Sequence, residues 1–339
     1  NDVTPIRATT TNGIVFAATN GSTTITATDD AHGAVAGDFV TISGAVSLGG
    51  NITASVLNTE HQITSITTDT FTFEASATAN GSDTGNGGAG ADAVYQINTG
   101  LDVYVRSTGW GVGTWGSSSW GAAAGIDSTN QLRLWSIDNF GDDTIAAIRL
   151  GGIYYWDESS GATTRAVNAT SLTDASNVPT KVLQIMMSDI DRHVIAFGCN
   201  AIGSSTLNPL LVRFSDAESL IDWTPSSTNS AGGVQLSLGS TIIGALRTRQ
   251  EILIWTDAGI VSMRFVGQPF IFSFNDVATG MSIISPNAAI NANGQVFFMD
   301  RGSFYTYSGS AQRLPCTVLD YIFSDINTSQ LFKIFGTSN

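Results

Sequence analysis

Charged side chains are scarce in this chain. Only 12% of its 339 residues are Asp, Glu, Lys or Arg, against about 25% in ordinary soluble domains. Lysine occurs twice, as Lys181 and Lys333, and 14 basic residues face 28 acidic ones, for a net charge of −14. Nucleic acid and anionic membrane surfaces are held by clustered Lys and Arg, so this balance argues against both as binding partners.

Cysteine and long apolar runs are also lacking. The only cysteines are Cys199 and Cys316, which form neither a disulfide framework nor a zinc motif, and we expect two buried free thiols. No apolar run approaches the roughly 18 residues that a membrane span requires, and no signal peptide is visible. We therefore expect no membrane insertion.

Histidine is equally rare, and no familiar catalytic spacing is present. His32, His61 and His193 lie in none of the H-x-H, H-E-x-x-H or H-x₃-H patterns that bind metals. No serine lies in a G-x-S-x-G elbow. The carboxylates Asp189 and Asp191 are too few for a calcium loop. We expect no catalytic residues, no metal and no cofactor.

A recurring hairpin is the most informative feature that is present. ILIWTDAGIVSMRF (252–265) and VFFMDRGSFYTY (296–307) both consist of an apolar strand, an Asp-x-Gly turn and a second apolar strand. Two looser copies upstream carry Asp157 and Asp216, so the four Asp positions are 59, 41 and 43 residues apart. A β-unit that repeats every 40–50 residues or so is typical of propeller blades.

The repeated Asp and Gly residues have two interpretations. Paired carboxylates catalyse hydrolysis in some propeller glycosidases, but here Asp157, Asp257 and Asp300 each have a Gly two to four residues further on. Asp caps such turns through its own side chain and Gly supplies positive φ, so a structural role is favoured. The predicted structural hairpin-turn residues are Asp157, Asp257, Gly259, Asp300 and Gly302.

The texture of the chain divides it into three parts. Residues 1–12 form an extended segment that we assign to the propeller side. Residues 13–98 contain short alternating strands, such as ITSITTDTFTF, with Thr on one face, and predict a small Ig-like β-sandwich, inserted into the propeller or placed before it. Residues 99–339 predict the β-propeller blades, and TVLDYIFSDI (317–326) predicts one short helix. The fold class is thus all-β.

One aromatic motif stands apart from the blades. GWGVGTWGSSSWG places Trp110, Trp115 and Trp120 five residues apart, each followed by Gly. The three rings suit a sugar-stacking platform, or a loop that packs them against the propeller edge. Because five-residue spacing does not place them on one strand face, the packing role is favoured.

Three segments in order resemble one protein family. DVTPIRATTT at the start is followed by AHGAVAGDFVTISGA…HQITSITTDTFTF and then by TGWGVGTWGSSSWG with LWSIDNFGDDTIAAIRLGGIYYWD. The C-terminal stretch from RFSDAESLIDWTPS to FFMDRGSFYTYSG continues the likeness. The arrangement resembles the tail nozzle (tail tubular, or hub) proteins of short-tailed bacteriophages. Those proteins close their propeller with strands beyond the point where this sequence stops, so an incomplete propeller is expected.

The resemblance implies a structural role at the tip of the virion tail. In that family six copies form a ring that contacts the tail adaptor protein and tail fibres, and DNA passes through it without specific binding. No catalytic residue and no cofactor is implied. A carbohydrate-binding propeller or adhesin that uses Trp110, Trp115 and Trp120 is the alternative, and a propeller glycosidase is the third hypothesis.

Overall fold

The computed structural model describes residues 2–87, 90–100, 133–189 and 191–338. Two compact units result: Asn1–Thr99 with Trp156–Asn168, and Gly100–Tyr155 with Ala169–Asn339. We call them the sandwich unit and the propeller unit. Trp110, Trp115 and Trp120 lie outside the described residues. In the part of the chain that the structure describes, no helix is long and apolar enough to cross a membrane.

The sandwich unit contains one antiparallel sheet of eight strands. The strands are β1 (Ile6–Thr10), β2 (Val15–Ala18), β3 (Thr24–Thr28), β4 (Phe39–Ser43), β5 (Glu60–Ile66), β6 (Thr70–Glu74), β7 (Asp83–Asn86) and β8 (Asp92–Gln96), with a single-turn helix α1 (Ala54–Leu57) before β5. Their order across the sheet is β1-β8-β4-β5-β6-β3-β2-β7.

Strand β5 joins the two halves of this sheet. Its first residues pair with β4, and from Ile63 onward it pairs with β6. Both halves bury their alternate side chains in one core, where Val40 comes from the first half and Phe71 and Phe73 from the second. Ile66 at the end of β5 is 40% exposed, although the register shift after Ile63 pairs it with buried Phe71.

The first strand corrects one expectation. Ile6–Thr10 pairs antiparallel with β8, in a register that places Ile6 opposite Gln96. Residues 1–12 therefore lie in the sandwich unit and not on the propeller side. The physical reason is that this segment supplies the edge strand that β8 lacks, a partnership between residues about 85 positions apart that local periodicity cannot reveal.

The remaining strands form four sheets of four, each in chain order. Blade 1 contains β9 (Trp135–Phe140), β10 (Asp143–Ile148), β11 (Ile153–Trp156) and β12 (Val167–Asn168). Blade 2 contains β13 (Val182–Met187), β14 (Val194–Asn200), β15 (Leu207–Phe214) and β16 (Gly232–Gln235). Blade 3 contains β17 (Ile242–Arg247), β18 (Ile252–Thr256), β19 (Gly259–Gly267) and β20 (Ile271–Thr279). Blade 4 contains β21 (Ala289–Ala292), β22 (Gln295–Met299), β23 (Phe304–Tyr307) and β24 (Ala311–Arg313).

The first strands of consecutive blades lie against one another, β9 against β13, β13 against β17 and β17 against β21. Each blade is thus a four-stranded meander with its first strand innermost, which confirms the predicted all-β, β-propeller fold. Apolar clusters fill the spaces between blades 1 and 2, 2 and 3, and 3 and 4.

A short helix follows the last blade, as its spacing predicts. Helix α2 (Leu319–Asp325) contacts blade 4 through Phe323, whose ring centroid lies 5.6 Å from that of Phe304. A 3₁₀ segment (Thr328–Lys333) comes next. Phe335 then forms a parallel bridge with Asn287, directly before β21.

Candidate functional site

The innermost strands enclose a cavity of about 420 Å³, which we call the axial cavity. Its volume falls in the range of small-molecule sites. The lining residues come from the first strands of blades 1–3 and from the residues before β21: Leu134, Trp135, Ser136, Ile137, Asp138, Arg149, Leu183, Gln184, Ile185, Met186, Leu246, Arg247, Pro286 and Asn287.

Polar side chains of blade 1 connect its inner strand to that of blade 2. Ser136 Oγ accepts a hydrogen bond from the backbone N–H of Ile185 at 3.0 Å. Asp138 Oδ2 accepts one from the N–H of Met187 at 2.9 Å. Since strands of different blades have no shared ladder, these side chains satisfy backbone groups that would otherwise be orphaned.

Gln184 makes the same kind of connection between blades 2 and 3. Its Nε2 donates to Ala245 O at 2.8 Å, and its Oε1 accepts from Ala245 N at 2.7 Å. Blades 3 and 4 approach each other closely at Gly244. A Cβ at this position would lie 2.7 Å from Pro286 O. Backbone approach there requires glycine.

One cation of the axial cavity is fully paired. Arg247 Nη1 lies 3.1 Å from Asp138 Oδ2 and 3.0 Å from Asp189 Oδ1. It also donates to Met187 O at 2.7 Å. Asp189 is thus an ion-pair partner of Arg247.

The second cation is Arg149. Its Nη1 donates to Leu183 O at 3.2 Å, and its guanidinium carbon lies 5.8 Å from the ring centroid of Phe332. Burial lowers the pKa of Arg149 to about 10. Among the described residues no carboxylate lies within ion-pair distance of it, in contrast to Arg247.

Asp257 connects two loops at the β18–β19 turn. Its Oδ1 accepts hydrogen bonds from Ser240 N at 2.6 Å and Thr241 N at 3.2 Å, and its Oδ2 accepts from Ser240 Oγ. Those hydrogen bonds, first of all from the Ser240 side chain, hold the pKa of Asp257 below its ordinary value.

The other two turn aspartates have local partners. Asp157 caps a 3₁₀ turn and accepts from Ser159 N at 2.9 Å, and hydrogen bonds from Ser159 and Ser160 lower its pKa. Asp300 Oδ1 accepts from Arg301 N at 2.7 Å. In each case the carboxylate accepts hydrogen bonds from residues of its own turn.

The prediction that Asp157, Asp216, Asp257 and Asp300 occupy equivalent turns is wrong for Asp157 and Asp216. Asp257 and Asp300 follow the second strand of blades 3 and 4, whereas Asp157 follows the third strand of blade 1 and Asp216 the third strand of blade 2. A strand followed by a turn occurs at every hairpin of a four-stranded meander. The sequence pattern therefore matched turns after third strands with turns after second strands, which are not equivalent.

Gly259 and Gly302 do not serve to supply positive φ, since neither lies in the left-handed region. Gly259 is buried, and a Cβ there would overlap the carbonyl oxygen of Ala278 and lie 2.7 Å from Leu238 Cδ2. A Cβ on Gly302 would meet nothing within 4 Å. The same Asp-x-Gly motif therefore has different requirements in the two blades. In blade 3 its glycine allows close packing, and in blade 4 there is room for a side chain.

We predict unequal costs for the same substitution in the two copies. Gly259→Ala should lower the free energy of unfolding by about 1–3 kcal/mol, because β20 must move to admit the methyl group. Gly302→Ala should change it by no more than about 0.5 kcal/mol. Urea denaturation of both variants measures this, and equal costs would contradict the packing argument.

Glu251 joins blade 3 to blade 4. Its carboxylate accepts hydrogen bonds from Ser262 Oγ, from Arg264 Nε at 2.9 Å and from Tyr307 Oη at 2.8 Å. Burial raises the pKa of Glu251, but the hydrogen bonds from Ser262, Tyr307 and Arg264 outweigh it and hold the pKa below its ordinary value. Burial and the Glu251 hydrogen bond raise the pKa of Tyr307 to about 12.

We predict a pH-dependent effect for Glu251→Gln. A depressed carboxyl pKa contributes stability that is present above the ordinary value of 4.5 and is lost as the pH falls through the folded-state pKa. At pH 7 the variant should lose about 1–3 kcal/mol of unfolding free energy. Denaturation at several pH values should show this difference shrinking below pH 4.5. A difference independent of pH would contradict the assignment.

A Ser–His–Asp chain lies in blade 2, where the sequence suggested no histidine base. His193 Nδ1 contacts Asp191 Oδ2, and His193 Nε2 lies 3.0 Å from Ser230 Oγ. The Ser230 hydroxyl also lies 2.6 Å from Asp216 Oδ1 and accepts from Ala217 N at 3.0 Å. Serine and histidine are 37 residues apart, so no spacing motif would have found them.

The surroundings of His193 favour a structural role for this chain. The ring is 1% exposed and lies within 6.3 Å of the rings of Phe214, Phe265 and Phe272. A general base must be within reach of the substrate proton, and this imidazole is covered by aromatic rings. The hydrogen-bonded series from Asp191 through His193 to Ser230 instead connects the loops at one end of blade 2.

Metal-binding side chains do not cluster in the described ranges, where no group of three or more His, Cys, Asp or Glu is placed to hold an ion. Cys199 is a buried free thiol, as expected, and burial raises its pKa to about 12. Cys316 is also free but only half-buried.

Comparison with known proteins yields structural similarity alone. No protein-family model matches the chain, and no curated protein matches it. An endosialidase of phage phi92 is similar in structure at 12% identity and a TM-score of 0.28, over 86% of this chain and 46% of that one. PorZ, a bacterial surface component of the type-IX secretion system of Porphyromonas gingivalis, is similar in structure at 14% identity and a TM-score of 0.35. The match covers 60% of this chain and 31% of PorZ. YCF48 from Cyanidioschyzon merolae is similar in structure at 15% identity and a TM-score of 0.31. The match covers 55% of this chain and 59% of YCF48. The chain thus spans less than two thirds of each.

Proposed function

We propose that this chain is a structural virion protein, a component of the nozzle at the tail tip of a short-tailed phage. The observation that carries the proposal is the architecture. An eight-stranded sandwich sheet followed by four chain-ordered sheets of four strands is the combination that the likeness to tail nozzle proteins implies. In this role six copies form a ring that contacts the adaptor protein and tail fibres.

The charge of the chain supports a conduit for DNA. A net charge of −14 with two lysines repels a phosphate backbone over about one Debye length, roughly 8 Å at physiological salt. DNA then passes without being held. The full-length chain should therefore give no mobility shift with duplex DNA at physiological salt.

The use of polar groups supports a non-catalytic role. Asp138 and Gln184 in the axial cavity bond to backbone groups of the next blade, and Asp257 bonds to a neighbouring loop. The proposal thus assigns these groups to holding the fold. Covalent labelling of Ser230 by a fluorophosphonate would contradict this assignment.

Immunogold electron microscopy of purified phage particles tests the location. With an antibody raised against this chain, gold at the axial tip of a short tail supports the nozzle. Gold on lateral fibres, or none on particles, overturns it and favours the carbohydrate-binding alternative. In that case a glycan array with the Trp110→Ala, Trp115→Ala and Trp120→Ala variants would follow.

A further inference from the structure

Exposed aromatic rings lie in two places among the residues that the structure describes. Phe265 and Phe270, at the tip of the β19–β20 hairpin in blade 3, are 36% and 78% exposed. Tyr321 in helix α2 and Phe335 beyond it are 76% and 70% exposed. Because aromatic side chains dominate the energetics of protein–protein contacts, both places are candidate contact surfaces.

The first surface, which we call the hairpin surface, combines apolar and basic groups. Strands β19 and β20 are nine residues long and continue past the end of the five-residue β18. The projecting end presents Phe265, Val266 and Phe270 to solvent. Arg264 lies beside them and keeps 52% of its side chain exposed, although it pairs with the buried carboxylate of Glu251.

Arg249 adds a second cation to the hairpin surface. It is exposed in the β17–β18 turn and lines a shallow cleft together with Phe265 and Phe272. Asp189 also lines this cleft, but its carboxylate is paired with Arg247. The hairpin surface therefore suits a partner that brings apolar or aromatic side chains together with carboxylates.

The second surface, which we call the helix surface, has this complementary character. Phe323 of α2 packs against blade 4, and the opposite side of the helix is exposed. Asp320, Tyr321 and Asp325 lie within about 140° of one another around the helix axis, at 3.6 residues per turn. Val318, directly before the helix, is 52% exposed beside them.

The two surfaces lie at opposite ends of their blades. In a four-stranded antiparallel meander the turn between the third and fourth strands lies at the end where the first strand finishes, and the hairpin surface is such a turn. Helix α2 follows the fourth strand of blade 4, at the end where the first strand begins. Both blades run in the same direction, since Pro286, shortly before β21, lies close to Gly244 near the start of β17. Both surfaces of one copy can thus be occupied at once.

We propose that copies of this chain join head to tail, with the hairpin surface of one copy on the helix surface of the next. Phe270 and Tyr321 supply the aromatic contact, and the carboxylates of α2 face Arg249 and Arg264. Such an interface is heterologous, so it closes into a ring when the rotation between copies allows it. The inference rests on the proposed nozzle ring and names the surfaces that form it.

Sedimentation equilibrium of the unmodified chain at increasing concentration tests the association. One hairpin tip and one short helix make a small interface, so we expect a dissociation constant on the order of micromolar. Phe270→Ser and Tyr321→Ser should each weaken association at least about tenfold, because each removes an exposed aromatic anchor. Val46→Ser is the matched control, since Val46 is 63% exposed in the sandwich unit, and it should associate like the unmodified chain.

An equimolar mixture of the two variants tests the pairing of unlike surfaces. Phe270→Ser keeps an intact helix surface and Tyr321→Ser keeps an intact hairpin surface. At a concentration where each variant alone is monomeric, the mixture should therefore form one-to-one pairs and nothing larger. Denaturation curves that match those of the unmodified chain establish that both variants are folded.

Four results would overturn the proposal. They are an unmodified chain that stays monomeric, undiminished association of either variant, a mixture that stays monomeric, and loss of association in Val46→Ser. The position of immunogold on the phage particle does not depend on these substitutions. A wrong interface and a wrong nozzle assignment therefore give different results.

Discussion

Replacing Arg213 with methionine is expected to lower the free energy of unfolding of the propeller unit by about 3–5 kcal/mol. Arg213 lies in β15 and is 4% exposed. Its guanidinium donates to three backbone carbonyls, Asn200 O at 3.2 Å, Asn177 O at 2.7 Å and Trp223 O at 3.1 Å. Methionine fills a similar volume but leaves all three oxygens without these donors.

The cost arises because the carbonyl oxygens of Asn200 and Trp223 are buried and cannot reach water instead. Each buried acceptor that loses its partner costs about 1–3 kcal/mol. The guanidinium carbon also lies 5.7 Å from the ring centroid of Trp223, a cation–π contact that is lost as well. Burial lowers the pKa of Arg213, yet guanidinium remains protonated at neutral pH, so the effect should be independent of pH between 6 and 8 or so.

Tryptophan fluorescence makes this measurement specific. No tryptophan lies in residues 1–99, and Trp156 is the one that belongs to the sandwich unit, so denaturation followed by tryptophan emission reports mainly on the propeller unit. Arg213→Lys should recover part of the loss, because one ammonium can reach some but not all of the carbonyls. Exposed Arg301→Met should cost no more than about 0.5 kcal/mol. Equal stabilities of Arg213→Met and Arg301→Met would contradict the role of Arg213.

The blades could be predicted from sequence because their strands are local. Apolar alternation and turn residues identify β18–β19 and β22–β23 directly. The pattern misled upstream, where Asp157 and Asp216 end a third strand and not a second. Turn chemistry depends on a few adjacent residues and is the same at any hairpin, so spacing alone does not tell which hairpin of a blade is present.

The pairing of β1 and the axial cavity could not be predicted in the same way. Ile6 pairs with Gln96, and the cavity joins residues from Leu134 to Asn287. Which strands meet across such separations depends on how the chain packs, and local patterns carry no record of it. The chain from Asp191 through His193 to Ser230 escaped notice for the same reason.

Several of the few charged residues in this chain hold neighbouring strands or loops together. Asp138, Arg247 and Glu251 each connect one blade to the next, and Arg213 connects loops within blade 2. A chain with few charged residues has placed several of them at junctions between strands. Arg149 follows the same pattern, since its Nη1 donates to Leu183 O of the next blade.

Trp255→Ala is the second substitution with a large expected effect, a loss of about 3–5 kcal/mol of unfolding free energy. Trp255 in β18 is fully buried in the cluster between blades 3 and 4. Its ring centroid lies 5.5 Å from that of Phe298 in an edge-to-face arrangement. Alanine leaves a cavity at this junction, so the docking of blade 4 should weaken more than that of blades 1 and 2.

Trp255→Phe separates packing from hydrogen bonding. The indole Nε1 is buried and has no hydrogen-bond partner among the described residues, so phenylalanine removes an unsatisfied donor while retaining an aromatic ring. Its cost should be less than half that of alanine. Limited proteolysis of Trp255→Ala should cut first within residues 285–338, where blade 4 and helix α2 lie. Equal costs for the two variants, or first cleavage in blade 2, would show that the ring does not hold blade 4 in place.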